Sequence, residues 1–282
     1  MTAVIERHLK LYFSDKSGIF FSLLGALIAF VLYIIFLQHN LVLSWEKSLS
    51  NPEKTLDLWV MGGVLAVTGI TTSWSALSRI VEDKEKSVWD DLLLTDVSPL
   101  KLHLGYFLSA SIISLIMQVV VFLVMQTYFA WQDQLSISPE LFPQLLLIAF
   151  LSSLQASLFA TLVLQFVKTM AIESRLGTII GTTSGFLVGV YIPVGVLPDL
   201  GKLVVKGTPG AYIASLYRQV LLKDSIKLLE WSKTDFREFM GIGMKLDKLT
   251  SLHDDYRIVM ITIFGMLLLL ATLIVIHKTK KS

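Results

Sequence analysis

Apolar residues gather along this chain into six long runs without Asp, Glu, Lys or Arg, at about residues 19–38, 58–78, 104–129, 141–166, 176–194 and 258–276. A helix crossing the ~30 Å hydrocarbon layer of a membrane needs about 20 such residues, and only helices or closed barrels satisfy the backbone there. The runs are continuous rather than alternating, which predicts helices and not barrel strands. The pattern therefore predicts an all-α polytopic membrane protein with six transmembrane helices.

Basic residues between the runs predict the orientation. Arg7, Lys10 and Lys16 precede the first run; Arg79, Lys84, Lys86 and Lys101 follow the second; Lys168 and Arg175 follow the fourth; Lys278, Lys280 and Lys281 follow the last. These segments are expected in the cytoplasm, with both termini. The loops holding only Lys47 and Lys54, or no basic residue, then face outward, as does the long loop 195–257, because long loops translocate largely regardless of charge. Trp45, Trp59 and Trp131 fall at the outer ends of spans, where an aromatic belt is expected. The first run is longer than a signal-peptide core and lacks a small-residue cleavage site, so it reads as a retained anchor. Before it, Ile5, Leu9, Tyr12 and Phe13 share a helical face, which predicts an interfacial helix.

Composition agrees: 54% of residues are hydrophobic and the mean hydropathy is +0.69. A chain of 282 residues has room for these spans but not also for an ordinary nucleotide-hydrolysing domain, and no phosphate-binding GxxxxGK[ST] motif occurs. A net charge of +2 gives no electrostatic reason to expect nucleic acid. Cysteine is absent, which removes disulfides and thiolate chemistry and leaves the redox compartment open. The six runs hold no ionisable relay, and the five histidines show no metal-binding or catalytic spacing. Neither a catalytic residue nor a metal site is expected.

Small polar groups do occur within the runs. Thr71, Thr72 and Ser73 in the second and Thr182, Thr183 and Ser184 in the fifth are candidates for a substrate path, and Gln118, Gln126, Gln155 and Gln165 for contacts across helices. In the fifth run Gly177, Gly181, Gly185 and Gly189 recur every four residues, predicting a flat helix seam within the chain or across a dimer.

Two loops carry punctuation. Between the second and third runs, Ser87 followed by Asp90 fits a capping box and Ser98-Pro99 a helix start, so a short helix near 88–94 is expected, with Val88, Trp89, Leu92 and Leu93 as its apolar face. Its acidic Asp90 and Asp91 suit a protein partner better than an anionic leaflet. After the fifth run, Pro193 and Pro198 lead to Thr208 and Pro209, which read as the cap and first residue of a helix over 211–222, with Tyr212, Leu216 and Val220 on one face. Trp231, Phe236, Phe239 and Met240 beyond it suggest a small external cap or a substrate contact.

The first of these loops resembles the permeases of type-2 ABC exporters. Its Asp83-Lys84-Glu85, Leu92-Leu93, Thr95 and Val97-Ser98 follow the order of that family's charged cluster, Leu-Leu pair and Thr-Pro-Val-Ser. Ser87-Val88-Trp89-Asp90 depart from the family's Gly-Thr-Leu-Glu, and Asp96 from its proline. The opening from Arg7 to Leu24 and the proline-containing outer segment around Pro193, Pro198 and Pro209 are similar too. The resemblance implies a single membrane domain over 1–282 with short re-entrant helices on the outer side. It also implies a coupling helix that docks on a separate ATPase through Glu82, Lys84, Glu85, Val88, Trp89, Leu92 and Leu93. The chain would hold no cofactor, ATP and Mg belonging to that partner. A second permease copy, joined through the first and fifth spans, and membrane lipid are the other implied partners. The expected function is export of an amphipathic or hydrophobic substrate, such as a drug, peptide or lipid-linked molecule, across the cytoplasmic membrane. A non-transporting sensor or immunity protein and an ion-coupled carrier stay open as alternatives.

Overall fold

The computed structural model describes residues 1–46, 49–95, 97–225 and 233–279. Lys47, Asp96, Trp231, Lys280 and Lys281, which have a part in the reading above, lie outside the described residues. Helices account for most of the structure, and among the described residues no β-sheet forms.

The helix α1 covers Thr2–Ser14, and α2 covers Lys16–Leu32, begun by the Asp15 carboxylate accepting from the Gly18 amide at 2.9 Å. A π-helical turn, Tyr33–Leu37, joins α2 to α3, Gln38–Trp45. The helix α4, Pro52–Glu85, starts on proline, where a missing N–H costs nothing. After the short α5, Val88–Leu93, the long α6, Pro99–Gln132, begins as the sequence predicts, with Pro99 in its first turn and Ser98 Oγ accepting from the Lys101 amide at 3.4 Å. Then follow α7, Phe142–Leu164; α8, Met170–Leu187; α9, Asp199–Lys206; α10, Pro209–Leu221; α11, Lys233–Met240; and α12, Leu252–Thr279.

Among the described residues, five helical segments are long and apolar enough to cross a membrane: Lys16–Trp45, Pro52–Glu85, Pro99–Gln132, Pro139–Leu164 and Leu252–Leu273. They match five of the six runs. The fifth run, expected to be helical over 176–194, instead ends at Leu187. The cause is local: Gly189 adopts φ +64°, its amide bonds the Phe186 carbonyl, and the Val190 amide reaches back to the Gly185 carbonyl at 2.9 Å. That pattern is a Schellman stop, for which glycine is the favoured residue.

The helix α4 is the axis of the bundle. It is buried along most of its length and packs against α2, α6, α7, α8 and α10. Around it the outward faces are apolar, with Phe20, Phe21, Ile35, Phe36, Leu123, Val124, Leu146 and Leu268 exposed, as suits lipid rather than water. Polar side chains inside the bundle bind helix to helix. Gln118 donates to Ser153 Oγ at 2.9 Å and accepts from Tyr217 Oη at 3.0 Å, joining α6, α7 and α10, and Gln155 joins α7 to Thr262 of α12 at 2.6 Å.

The segment after α8 folds back into the bundle. Gly210 lies against Ile70, in the middle of α4, while Arg218 lies against Gly62 and Trp59 near the start of α4. Thus α10 runs from the bundle middle back to the end opposite α5. Its first turn uses Pro209, but Thr208 does not cap it as the sequence reading has it: the Thr208 hydroxyl donates backward to the Val204 carbonyl at 2.9 Å. Phe236 and Met240 are buried beneath this end, and Phe239 packs on Trp45.

Candidate coupling site and membrane interior

At one end of the bundle α5 sits over a buried charge cluster. Asp83, in the last turns of α4, is wholly buried and accepts from Arg7 of α1 at 2.8 Å, from Arg79 at 3.1 Å and from the Tyr106 hydroxyl of α6. One carboxylate therefore ties three helices with charge-assisted hydrogen bonds, the strong class. Beside it His8 is also buried: Nε2 donates to the Ala76 carbonyl at 2.7 Å, and Nδ1 faces Ser109 Oγ. Burial pushes the His8 imidazole down to about 4, so it is neutral near pH 7. The buried face of α1 is Val4, His8 and Tyr12, while Phe13 is exposed, so the face inferred from sequence is rotated and Arg7 is part of the contact.

The capping box expected at Ser87 and Asp90 is not formed. Ser87 takes the left-handed conformation, φ 61°, that ends α4, with its amide on the Lys84 carbonyl. Its own carbonyl then accepts from the amides of Asp90 and Asp91, so one residue stops α4 and starts α5 through its backbone.

On α5 the predicted coupling residues divide into two groups. Trp89 is buried within the chain, edge-on to His103 and stacked on Tyr106, with Lys84 Nζ over its ring at 5.4 Å. Val88, Leu92 and Leu93 are half-buried, and Asp90, Asp91 and Leu94 are exposed, Leu94 at 88%. Glu82 pairs with Arg79 and Lys86, Glu85 accepts from the Met170 amide at 3.0 Å, and Lys84 reaches the Gln165 carbonyl at 3.4 Å. The charged cluster thus fastens α4 to the start of α8 and to the end of α7, while α5 presents an acidic and leucine-bearing outer face.

The four predicted seam glycines do not share one partner. A side chain at Gly177 would meet Trp74, one at Gly185 would meet the Tyr191 ring, and Gly189 belongs to the helix stop. Gly181 alone of the four faces open space. A close approach of α10 lies elsewhere, at Gly62 and Gly63 of α4, where Cβ atoms would strike Arg218, Tyr217 and Val190. Adjacent glycines inside a span were the available sequence signal for it.

The predicted path residues also separate. Thr72 bonds back to the Thr68 carbonyl and Ser73 meets Ser157 at 3.2 Å, so both are held inside the bundle. Thr71 is buried with its hydroxyl unbonded, and Thr182 is exposed. Thr183 and Ser184 line a largely apolar cavity with about 100 Å³ of room for water-sized molecules, between α4, α7, α8, α10 and α12, with Trp74, Gln155 and Phe159 in its wall.

Sequence reasoning finds no ionisable group within the six runs, yet the bundle encloses several that lie outside them. Arg218 is fully buried, donates to the carbonyls of Trp59, Gly189 and Gly241 at 3.3, 2.9 and 3.4 Å, and stacks on Trp59. Trp59 is therefore an internal residue and not part of an aromatic belt. Asp255 accepts from Ser215 and Gln219, and Glu173 from the Trp74 indole at 2.9 Å. Among the described residues no cluster of three or more His, Asp or Glu forms a metal-binding group.

Five apolar helices of membrane-crossing length, an apolar exposed girdle and a polar-stitched interior define a multi-pass membrane protein. The chain belongs to the ABC-2 type transporter family, whose model matches residues 1–222. It is accordingly a permease component of ABC-type transport, a membrane part generally not catalytic and typically paired with an ABC ATPase. Comparison with curated proteins finds no match.

Proposed function

We propose that this chain is the permease subunit of an ATP-driven exporter, paired with a separate ATPase and with a second copy of itself. The observation that carries the reading is α5: a short helix whose inner side is anchored on Trp89 and whose outer side offers Leu94, Asp90 and Asp91 beside the Asp83 hub. A force applied to α5 reaches α4 and α6 through Trp89 and, by way of Tyr106 and Asp83, α1. The basic segments support a cytoplasmic location for this end, and in this reading α8 is the sixth membrane helix, shortened because α9 and α10 re-enter from the outside. With α1 in the inner interface, the largely apolar cavity beside Thr183 and Ser184 supports an amphipathic or hydrophobic cargo. Copurification with an ATP-binding subunit, and cargo-stimulated ATP hydrolysis by the complex, are the expected results. Stable isolation of the chain without any ATPase, from cells where it performs its function, overturns the reading.

A further inference from the structure

At the end of the bundle opposite α5 lies a second pocket, roomier than the one beside Thr183. It has about 290 Å³ for water-sized molecules against about 100 Å³ there, and its wall is charged. Lys202 and Lys206 come from α9, Asp235 and Glu238 from α11, and Lys245 from the loop after α11, around the ring of Phe239. Tight contacts build this wall. An added Cβ at Gly195 would strike the Phe239 ring, so the turn before α9 lies closely on α11, and Phe239 in turn packs on Trp45. Gly243, at φ 101°, turns the chain toward Lys245, and its amide donates to Ser215 Oγ of α10 at 2.8 Å.

The charges in the pocket do not cancel. Lys245 binds Glu238 at 2.9 Å, while Lys202 lies 4.0 Å from the exposed Asp199, beyond hydrogen-bonding distance. Among the described residues Lys206 has no ion pair. Three lysines thus face two carboxylates. The helix that carries two of them is turned inside out: Leu200, Leu203 and Val204 point away from the bundle, 78%, 66% and 56% exposed, and the lysines point into the pocket. An outer face of that kind suits lipid, as the girdle of the bundle does. Lys206 ends α9 four residues before Gly210, which lies against Ile70 in the middle of α4, so α9 runs toward the membrane-spanning part of the bundle. A lysine there is unfavourable without a counter-charge. A phosphate group supplies that charge, and two lysines one helical turn apart can donate to its oxygens from the same side.

We propose that Lys202 and Lys206 form a headgroup site for an anionic membrane phospholipid, with the phosphate in this pocket and the acyl chains along Leu203 and Val204. The site needs a membrane, but neither the ATPase nor a particular direction of transport.

The test places the full chain in nanodiscs of phosphatidylcholine with and without phosphatidylglycerol. Native mass spectrometry should show phosphatidylglycerol retained in preference to phosphatidylcholine, and phosphatidylglycerol should raise the unfolding midpoint. Lys202→Gln combined with Lys206→Gln should lower that retention roughly tenfold or more and abolish the rise, with the midpoint in pure phosphatidylcholine unchanged. Lys206→Arg keeps the charge and should keep the lipid, and Lys248→Gln, exposed and outside the pocket, should behave as the native protein does. Equal retention by the double variant, or no preference of the native protein for phosphatidylglycerol, overturns the site. A rise in midpoint with inorganic phosphate equal to that with phosphatidylglycerol would mark a soluble-anion site instead. Disulfide cross-linking of Leu203→Cys between two copies would mark a protein contact, and either result overturns the lipid assignment.

Discussion

Single side chains show where sequence patterns stop being informative. Trp89 lies on the apolar face of a short amphipathic helix, and a pattern alone cannot say whether such a face meets a partner or its own chain. Here Tyr106 and His103, more than a dozen residues away, are brought beneath it by α6. Arg218 is hidden for a related reason: it follows a long loop, and only the fold-back of α10 against Gly62 takes it out of water. His8 reads as an ordinary terminal histidine, yet it is enclosed as a neutral ring. That enclosure gives a pH dependence with a definite sign. The folded-state value of about 4 lies below the unfolded value near 6.5, so docking of α1 is fully supported above about pH 6.5 and is lost as pH falls toward 4. Acidification through this window should release α1, detected as faster hydrogen exchange over residues 2–14, and His8→Gln should flatten the response. Unchanged protection of α1 in the native protein at pH 4 would contradict the buried neutral ring.

Whole elements were more legible than their ends. Runs of about 20 apolar residues predict α2, α4, α6, α7 and α12 because membrane thickness leaves few alternatives. The end of α8 was misread because Gly189 continues a four-residue glycine spacing and so resembles a seam member, whereas its backbone performs a helix stop. Ser87 likewise has the side chain of a cap but acts through a left-handed backbone. These positions separate two kinds of glycine effect. At Gly69 an added Cβ would lie 2.4 Å from Ser152 Oγ and 3.2 Å from the Gln118 amide, in the network joining α4, α6 and α7. Gly69→Ala should therefore lower stability by about 1–3 kcal/mol, the usual cost of overpacking. At Gly181 nothing lies within 4 Å of an added Cβ, so Gly181→Leu should leave the unfolding midpoint of the isolated chain unchanged. If the second copy packs on this open face, the same variant should be monomeric by native mass spectrometry. A Gly181→Leu protein that remains dimeric would move the seam elsewhere.

At the scale of the molecule, the two ends of α4 hold the buried charge while its middle is joined to its neighbours by hydroxyls and amides. The end carrying α5 is the one placed to receive work from outside the chain. Its parts differ in what substitution should do. Trp89→Ala empties a buried aromatic site and should cost about 3–5 kcal/mol of stability, loosening α5 and with it any attached ATPase. Leu94, 88% exposed, contributes nothing comparable to the isolated chain, but burying it in a partner is worth about 1.5–3 kcal/mol, roughly a ten- to hundredfold change in affinity. Asp90 and Asp91, as exposed charges, should contribute about 0–1 kcal/mol each. Leu94→Asp should accordingly lose the ATPase in pull-down at native surface expression and an unchanged unfolding midpoint, and Asp90→Asn should weaken retention only slightly. Trp89→Ala should lower the midpoint and retention together. Retention of a fully active ATPase by the Leu94→Asp protein would show that force enters the permease through another surface, and would leave α5 as a connector between α4 and α6.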